Sequence, residues 1–378
     1  MIPFNKPYIA PKEFDYIRQA IEGNHISGDG PFTKKCNQFL ENALGVRKAL
    51  LTTNCTHALE MTALLLNLEE GDEVIVPSFT FVSTINAFVL RGAKPKFVDI
   101  RPDTLNIDER LIEAAINEHT KAIYVVHYAG VGCEMDAIMD IAQRHNLQVV
   151  EDNAHGFLGK YKGRLLGTFG SLATQSFHET KNFSCGEGGA IIINNPDMVE
   201  RAEIIREKGT NRSRFFRGQI DKYSWVDVGS SYLPSDILAG VLLSHFEEAE
   251  FIQSKRKQLW DTYAAQLGDW ALENSVKLPF IPDYCEQSYH MFYLLMPDLE
   301  IRQRFIQYLK ERDILAVFHY VPLHTADMGQ YFGYQAGDLP VTEEYSDRLV
   351  RLPFYNSMSE AEQQQVINII LTFKAQGR

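Results

Sequence analysis

From about residue 74 to residue 194 the chain alternates between two hydrophobic periodicities. Short apolar runs recur at 74–76, 96–100, 122–127, 147–151, 173–177 and 190–193. Short apolar runs of this kind, bounded by Gly, Pro and Asp, suit strands buried on both faces. Between several of them the period becomes helical. In DERLIEAAINEH, Leu111, Ile112, Ala115 and Ile116 share one face; in EMDAIMDIAQRHN, Met135, Ile138, Met139 and Ala142 do the same. Strands alternating with helices imply βαβ units and a mostly parallel sheet. After about Phe246 the pattern changes. EEAEFIQSKRKQLWDTYAAQLG reads as a long amphipathic helix. Apolar-rich stretches follow at 291–296 and 316–320, with a helical pattern at 302–310. The expectation is a large α/β domain over residues 1–245 and a smaller α+β domain over residues 246–378.

Length and charge narrow the function. A chain of 378 residues fits one large and one smaller domain. Its formal net charge of -12 argues against nonspecific nucleic-acid binding, which depends on attraction to phosphate. The five cysteines, Cys36, Cys55, Cys133, Cys185 and Cys285, are scattered, show no zinc-site spacing and read as reduced thiols of a cytoplasmic protein. No metal site is read. The opening MIPFNKPYIAPKEFDYI lacks the pattern of a secretory signal, and no window is apolar enough to span a membrane.

Candidate chemistry gathers at the ends of the apolar runs. Lys181 follows the run ATQSF and precedes the turn GEGG, which leads into AIIIN. A lysine between two central strands sits near the ligand-binding edge of such a sheet. Once desolvated there, it loses its proton more easily and can condense with an aldehyde. Asp152 ends the strand of LQVVEDNAHG, where open α/β sheets bind ligands. A carboxylate there can keep a pyridine nitrogen protonated, which pyridoxal phosphate (PLP) chemistry requires; the plain alternative is a helix N-cap. In TTNCTHALEMTALLL, Asn54, Cys55 and Thr56 open a helix whose first-turn amides can receive a phosphate, or simply be capped. Ser176 can add a hydroxyl. Phe81, in PSFTFVST, is a candidate to stack on a cofactor ring, although such a residue is more often core.

Taken in order, PSFTFVST, EDNAHG, SFHETKN with GEGGA, and HYVPLH resemble the sugar aminotransferases of the DegT/DnrJ/EryC1 family, from PFNKPYI to at least RLPFYN. The resemblance implies the PLP-dependent transferase fold of type I. It implies Lys181 as the lysine that carries PLP, Asp152 at the pyridinium, His155 beside Asp152 or the ring, Ser176 with Cys55 and Thr56 at the phosphate, and Phe81 on the ring face. His319, Tyr320 and His324 fall where the family approaches its sugar. Within the family, HISGDGPFT, HETKNF, REKGTNRSRFFRGQIDKYSW and VFHYVPLH are similar to the branch that makes dTDP-4-amino-4,6-dideoxygalactose. That similarity implies a dTDP-linked 4-keto-6-deoxyhexose as acceptor, L-glutamate as donor and a homodimer with shared active sites. Arg212, with Arg214, Arg217 and Lys222 in the same basic stretch, is then a candidate for the substrate diphosphate; the alternative is a solvated loop. Ser231 stands where many relatives place an asparagine.

Two other readings compete. A nicotinamide-dependent oxidoreductase needs a Gly-x-Gly-x-x-Gly turn after the first strand, and Gly186, Gly188 and Gly189 lack that spacing. A non-catalytic scaffold of the same fold has no need for Lys181, Asp152 and Ser176 together.

Overall fold

The computed structural model describes residues 1–375. Helices α1 (Glu13–Glu22) and α2 (Pro31–Leu44) precede the first strand, β1 (Lys48–Thr52). Strands and helices then alternate: α3 (Cys55–Leu65), β2 (Glu73–Pro77), α4 (Val82–Val89), β3 (Lys94–Val98), α5 (Glu109–Ala115), β4 (Thr120–Val126), α6 (Met135–Arg144) and β5 (Gln148–Asp152). A short hairpin, β6 (Lys160–Tyr161) and β7 (Arg164–Leu165), leads to β8 (Leu172–Ser176) and β9 (Gly189–Ile193). Helices α7 (Val199–Arg206), α8 (Arg212–Phe216) and α9 (Asp236–Glu247) complete this part.

The main sheet has the order β1-β9-β8-β5-β4-β2-β3. Its β3, β2, β4, β5 and β8 are parallel, whereas β9 is antiparallel to both β8 and β1. The carboxyl ends of β1, β2, β4, β5 and β8 therefore share one edge, which also receives the start of β9. The central strands are buried on both faces, and β5 and β8 bury polar Glu151, Thr174 and Gln175 beside their apolar residues. Val74 and Val76 pack into one core with Ala58, Met61 and Phe88, while Ile75 turns to the opposite core with Ile112, Met135 and Ile138. β1 was not foreseen as a strand. Its apolar content is only the Ala-Leu-Leu of KALLT, pressed between the helical LENAL and the polar TTNC.

The rest of the chain comprises α10 (Ala249–Glu273), β10 (Cys285–Glu286), β11 (Tyr293–Leu295), α11 (Leu299–Lys310), β12 (Val317–Phe318), α12 (Asp327–Tyr331), α13 (Pro340–Arg348), β13 (Leu349–Arg351) and α14 (Glu360–Thr372). The expected long helix is present as α10. It buries Ile252, Arg256, Leu259, Tyr263, Leu267 and Trp270, a stripe at helical spacing. A second sheet, β11-β13-β12, joins α10, α11 and α14 in a core of its own, which Ile2 from the amino terminus enters by pairing with Ile314. Residue 246 lies in the last turn of α9, and Phe246 packs with Leu40, Phe177 and Phe183 against the main sheet. The two parts meet along an apolar seam in which Phe79, Ile100 and Tyr128 pack on Met291, Tyr293, Leu295, Tyr345 and Leu349. The functional cleft opens beside that seam.

Among the described residues no helix is long and apolar enough to cross a membrane.

Candidate active site

The cleft has a volume of about 660 Å3 and lies over the shared carboxyl edge of the sheet, where open α/β sheets place their ligands. Asp152, the last residue of β5, is 5% exposed. Its Oδ2 accepts a hydrogen bond from Thr84 Oγ1 at 2.7 Å and its Oδ1 one from the Ala154 amide at 3.1 Å. No ion pair reaches it among the described residues. Burial raises its pKa above the usual carboxylate value despite those two bonds. A buried carboxylate in that condition is stabilised by a cation placed against it.

Lys181 comes from the loop between β8 and β9. That loop is a turn closed on itself, with Phe177 N–H on the Gly188 carbonyl, Glu179 N–H on the Gly186 carbonyl and Lys181 N–H on the His178 carbonyl. The lysine lines the cleft together with Asp152. Desolvation pulls its ammonium down to about 8; Asp152 opposes that shift, and the positive charge of Arg351 adds to it. A free amine is thus available close to neutral pH, as condensation with an aldehyde requires.

At the other end of the cleft α3 begins. Asn54 caps it by accepting the His57 amide at 2.8 Å, and no side-chain cap takes the first-turn amides of Cys55 and Thr56. Thr56 Oγ1 and Ser83 Oγ lie 2.7 Å apart, tying the starts of α3 and α4 together. The GEGG turn is what lets α3 come this close. A Cβ on Gly189 would stand 2.3 Å from the carbonyl carbon of Asn54 and 2.4 Å from the Cys55 nitrogen, distances that real structures do not show. Ser176 pairs with Gly189 across the β8–β9 ladder, so its hydroxyl falls beside the same helix start and lines the cleft. Burial drives the Cys55 thiol well up, so it is a neutral wall rather than a nucleophile.

Aromatic and imidazole rings close the sides. Phe81, at the N-cap position of α4, is 58% exposed and lines the cleft, its ring 6.5 Å from that of Tyr320. His155 stacks on His290 at 4.2 Å with 17° between the planes, and its buried Nδ1 has no hydrogen-bond partner. His319 meets the Tyr128 hydroxyl at 2.9 Å through Nδ1. Burial holds both His155 and His319 well below the usual imidazole range, so both are neutral at pH 7. Lys181, Asp152, His155, Ser176, Cys55, Thr56, Phe81, His319 and Tyr320 therefore meet in one cleft.

Two expected residues do not reach it. His324 is fully buried outside the cleft. Its Nδ1 lies 2.8 Å from Ser78 Oγ and its Nε2 2.9 Å from Glu343 Oε1, so it clamps the loop after β2 to α13. The HYVPLH string places it five residues beyond His319, but the intervening Pro322 and Leu323 turn it back under the sheet edge. Arg212 lies on the outer helix α8, its guanidinium over the rings of Phe216 at 4.9 Å and Tyr223 at 5.9 Å. In the same stretch Arg214 and Arg217 are held by Glu200 at 3.3 Å and Glu203 at 2.7 Å. Within this chain none of the three lines the cleft. Conversely, Thr84, Ser83, His178, His290 and Arg351 line it without having been expected. Thr84 carried a usable signal, since a polar residue three positions after Phe81 on a helix start faces the same way. Arg351 carried none; it lies in RLPFYN as one arginine among many.

These residues fit PLP. Asp152 lacks the cation that a pyridinium would provide, Lys181 offers the amine for its aldehyde, the open α3 amides with Ser176 suit its phosphate, and the unpartnered His155 Nδ1 lies beside them.

Comparison with known proteins also leads to a PLP-dependent aminotransferase. A model of the DegT/DnrJ/EryC1/StrS aminotransferase family matches residues 7–371. The spore coat polysaccharide biosynthesis protein SpsC of Bacillus subtilis is 30% identical over 377 residues, covering 98% of this chain and 96% of that protein. Among solved structures, Spr1654 of Streptococcus pneumoniae in its PMP form superposes with a TM-score of 0.91 at 26% identity, covering 98% of both chains, and it is also known in a PLP form. PseC of Helicobacter pylori, an aminotransferase of pseudoaminic acid biosynthesis, gives a TM-score of 0.88 at 25% identity over 97% of both chains.

Proposed function

Because the chain belongs to the DegT/DnrJ/EryC1/StrS aminotransferase family, we propose that this PLP-dependent sugar aminotransferase moves the amino group of L-glutamate to C4 of a dTDP-4-keto-6-deoxyhexose, giving dTDP-4-amino-4,6-dideoxygalactose. The observation that carries the chemistry is the pairing of a lysine pulled down to about 8 with a buried carboxylate that lacks a cation, in one cleft. The acceptor rests on the phrases HISGDGPFT, HETKNF and VFHYVPLH, and on relatives named for polysaccharide and pseudoaminic acid biosynthesis.

When bound, PLP supplies an electron sink for the C–H bond that breaks and a temporary place for the amino group. The chain supplies the rest. Asp152 holds the ring nitrogen protonated. The Lys181 amine takes the proton from Cα of the donor and, in the second half-reaction, returns one to C4 of the sugar. Burial keeps His155 and His319 uncharged, so no further positive charge builds up beside Lys181. Phe81, which lines the cleft, stacks on the cofactor ring. The two half-reactions at one site give ping-pong kinetics. Homodimerisation in the cytoplasm belongs to the same proposal. It is supported by the outer arm around α8, where Phe216, Tyr223 and Trp225 are 68%, 50% and 79% exposed and a second copy would cover them. In such a dimer Arg212 would serve the partner's cleft.

The test is to incubate the enzyme with PLP, L-glutamate and dTDP-4-keto-6-deoxyglucose and to read the C4 configuration of the product by NMR, with Lys181→Ala as control. A galacto-configured amine that is lost in the variant is expected. A gluco-configured amine would keep the reaction and replace the product. No amine at all would overturn the acceptor.

A further inference from the structure

Arg351 is the last residue of β13, and its place follows from strand alternation. Val350 points into the core formed with α10, α11 and α14, whereas Leu349 points into the seam facing the main sheet. Arg351 returns to the side of Leu349 and lines the cleft with Lys181 and Asp152. Its guanidinium lies over the Phe4 ring, 4.6 Å from the centroid, which holds its plane. Its Nε is buried without a hydrogen-bond partner, and no carboxylate pairs with it among the described residues. Burial pulls the guanidinium below its ordinary value. Buried arginines in proteins are as a rule paired. By contrast, Arg256, which is buried throughout, donates to the carbonyls of Tyr289 and His290 and to Asn356. Arg351 is thus a half-buried cation, its Nε buried and unpartnered, held in plane and facing the cleft.

We propose that Arg351 binds the α-carboxylate of the amino donor. This deepens the aminotransferase reading and rests on it, but not on the identity of the sugar. Position selects the carboxylate over the other anion that enters the cleft. Arg351 lines the same cleft as Lys181, Asp152, His155, His290 and His319, so it sits near the reacting atoms. The α-carboxylate of an amino acid is one bond from the carbon that loses its proton. The diphosphate of a nucleotide sugar is attached at C1, across the hexose ring from C4. A planar fork near Lys181 therefore matches the first and is misplaced for the second.

The test uses the PLP-loaded enzyme with Arg351→Gln and Arg351→Lys. Calorimetry measures binding of glutarate, a carboxylate that cannot react, and separately of dTDP. Rapid mixing with L-glutamate alone gives the half-saturating concentration and limiting rate of the first half-reaction. Arg351→Gln is expected to weaken glutarate and raise half-saturation by L-glutamate about 30-fold or more, a loss in line with a charged partner removed from a desolvated pair. Binding of dTDP should stay within about threefold, which also certifies the fold. Arg351→Lys, which keeps the charge but not the fork, should fall between, and it carries the test if the glutamine variant does not fold. Unchanged glutarate binding in either variant overturns the proposal. So does a loss of dTDP affinity with glutarate intact, which would give the arginine to the diphosphate. No sugar enters these measurements, so a wrong acceptor leaves them untouched.

Discussion

The two walls of the cleft are built in different ways. The cofactor wall is made of strand ends and the turns that leave them: Asp152 closes β5, Ser176 closes β8, Lys181 sits in the next turn, and α3 starts where β1 stops. Each position follows from the parallel sheet, and much of the proposed phosphate binding would fall to backbone amides brought close by the absence of a Cβ at Gly189. The opposite wall consists of His290, His319, Tyr320 and Arg351, which reach the cleft from the smaller sheet and its loops across an apolar seam. The first wall can be specified by short sequence strings. The second exists only where two separate cores meet. Changes in the first should therefore remove chemistry at little cost to folding. Changes in the second should affect binding or the fit of the two parts.

The largest expected effect that sharpens this contrast is Asp152→Asn. With the cofactor bound, loss of the charge proposed to face the ring nitrogen should lower kcat by about 10^2- to 10^3-fold, the range for removing one preorganised stabilising group from a dry site. Without the cofactor the sign reverses. The carboxyl of Asp152 has a raised pKa, so its ionised form is disfavoured by folding, and that cost is present at every pH above the folded pKa. Asparagine removes the cost at pH 7. The melting temperature of the cofactor-free protein should hold or rise while the gain on adding PLP shrinks. Equal drops in both forms would make Asp152 a structural cap for Thr84 and Ala154.

A smaller effect concerns Lys181. Its ammonium, pulled down to about 8, releases its proton as pH rises through that value. About one tenth of the amine is free at pH 7 and about nine tenths at pH 9. The rate at which cofactor-free enzyme captures PLP should rise about tenfold per pH unit below 8 and flatten above 9. A rate still climbing towards the ordinary lysine value near 10.5 would mean that the cofactor wall does not desolvate its lysine.

The same division explains what could be read from the chain alone. The apolar runs gave the main sheet, because a strand buried on both faces is mostly apolar, and the residues at their ends line one wall of the cleft. β1 escaped because three apolar residues between a helix and a cap carry no period. The reversal of β9 escaped because burial on both faces reads alike in either direction. Arg351 was invisible for a different reason. An arginine in a short strand is ordinary until its neighbours are known, and what singles it out is the missing partner rather than any local pattern. His324 shows the converse. It stands in a string that also holds His319 and Tyr320, and sequence proximity suggested a shared role that a turn of the chain undoes.

His324 also gives the smallest effect and the clearest check on the seam. Both its nitrogens are engaged, with Ser78 on the loop that leads to Phe81 and with Glu343 on α13, and it has no access to the cleft. Glutamine in its place can keep one of these bonds but cannot span both. The buried partner left over should cost about 1–3 kcal/mol of stability, seen as a lower melting temperature. The KM values for L-glutamate and for the sugar should stay within about threefold, since no ligand-facing atom has changed. If the melting temperature held while the KM for the sugar rose tenfold, His324 would belong to the substrate wall. The loop from β12 to α12 would then have to open during turnover to bring it there.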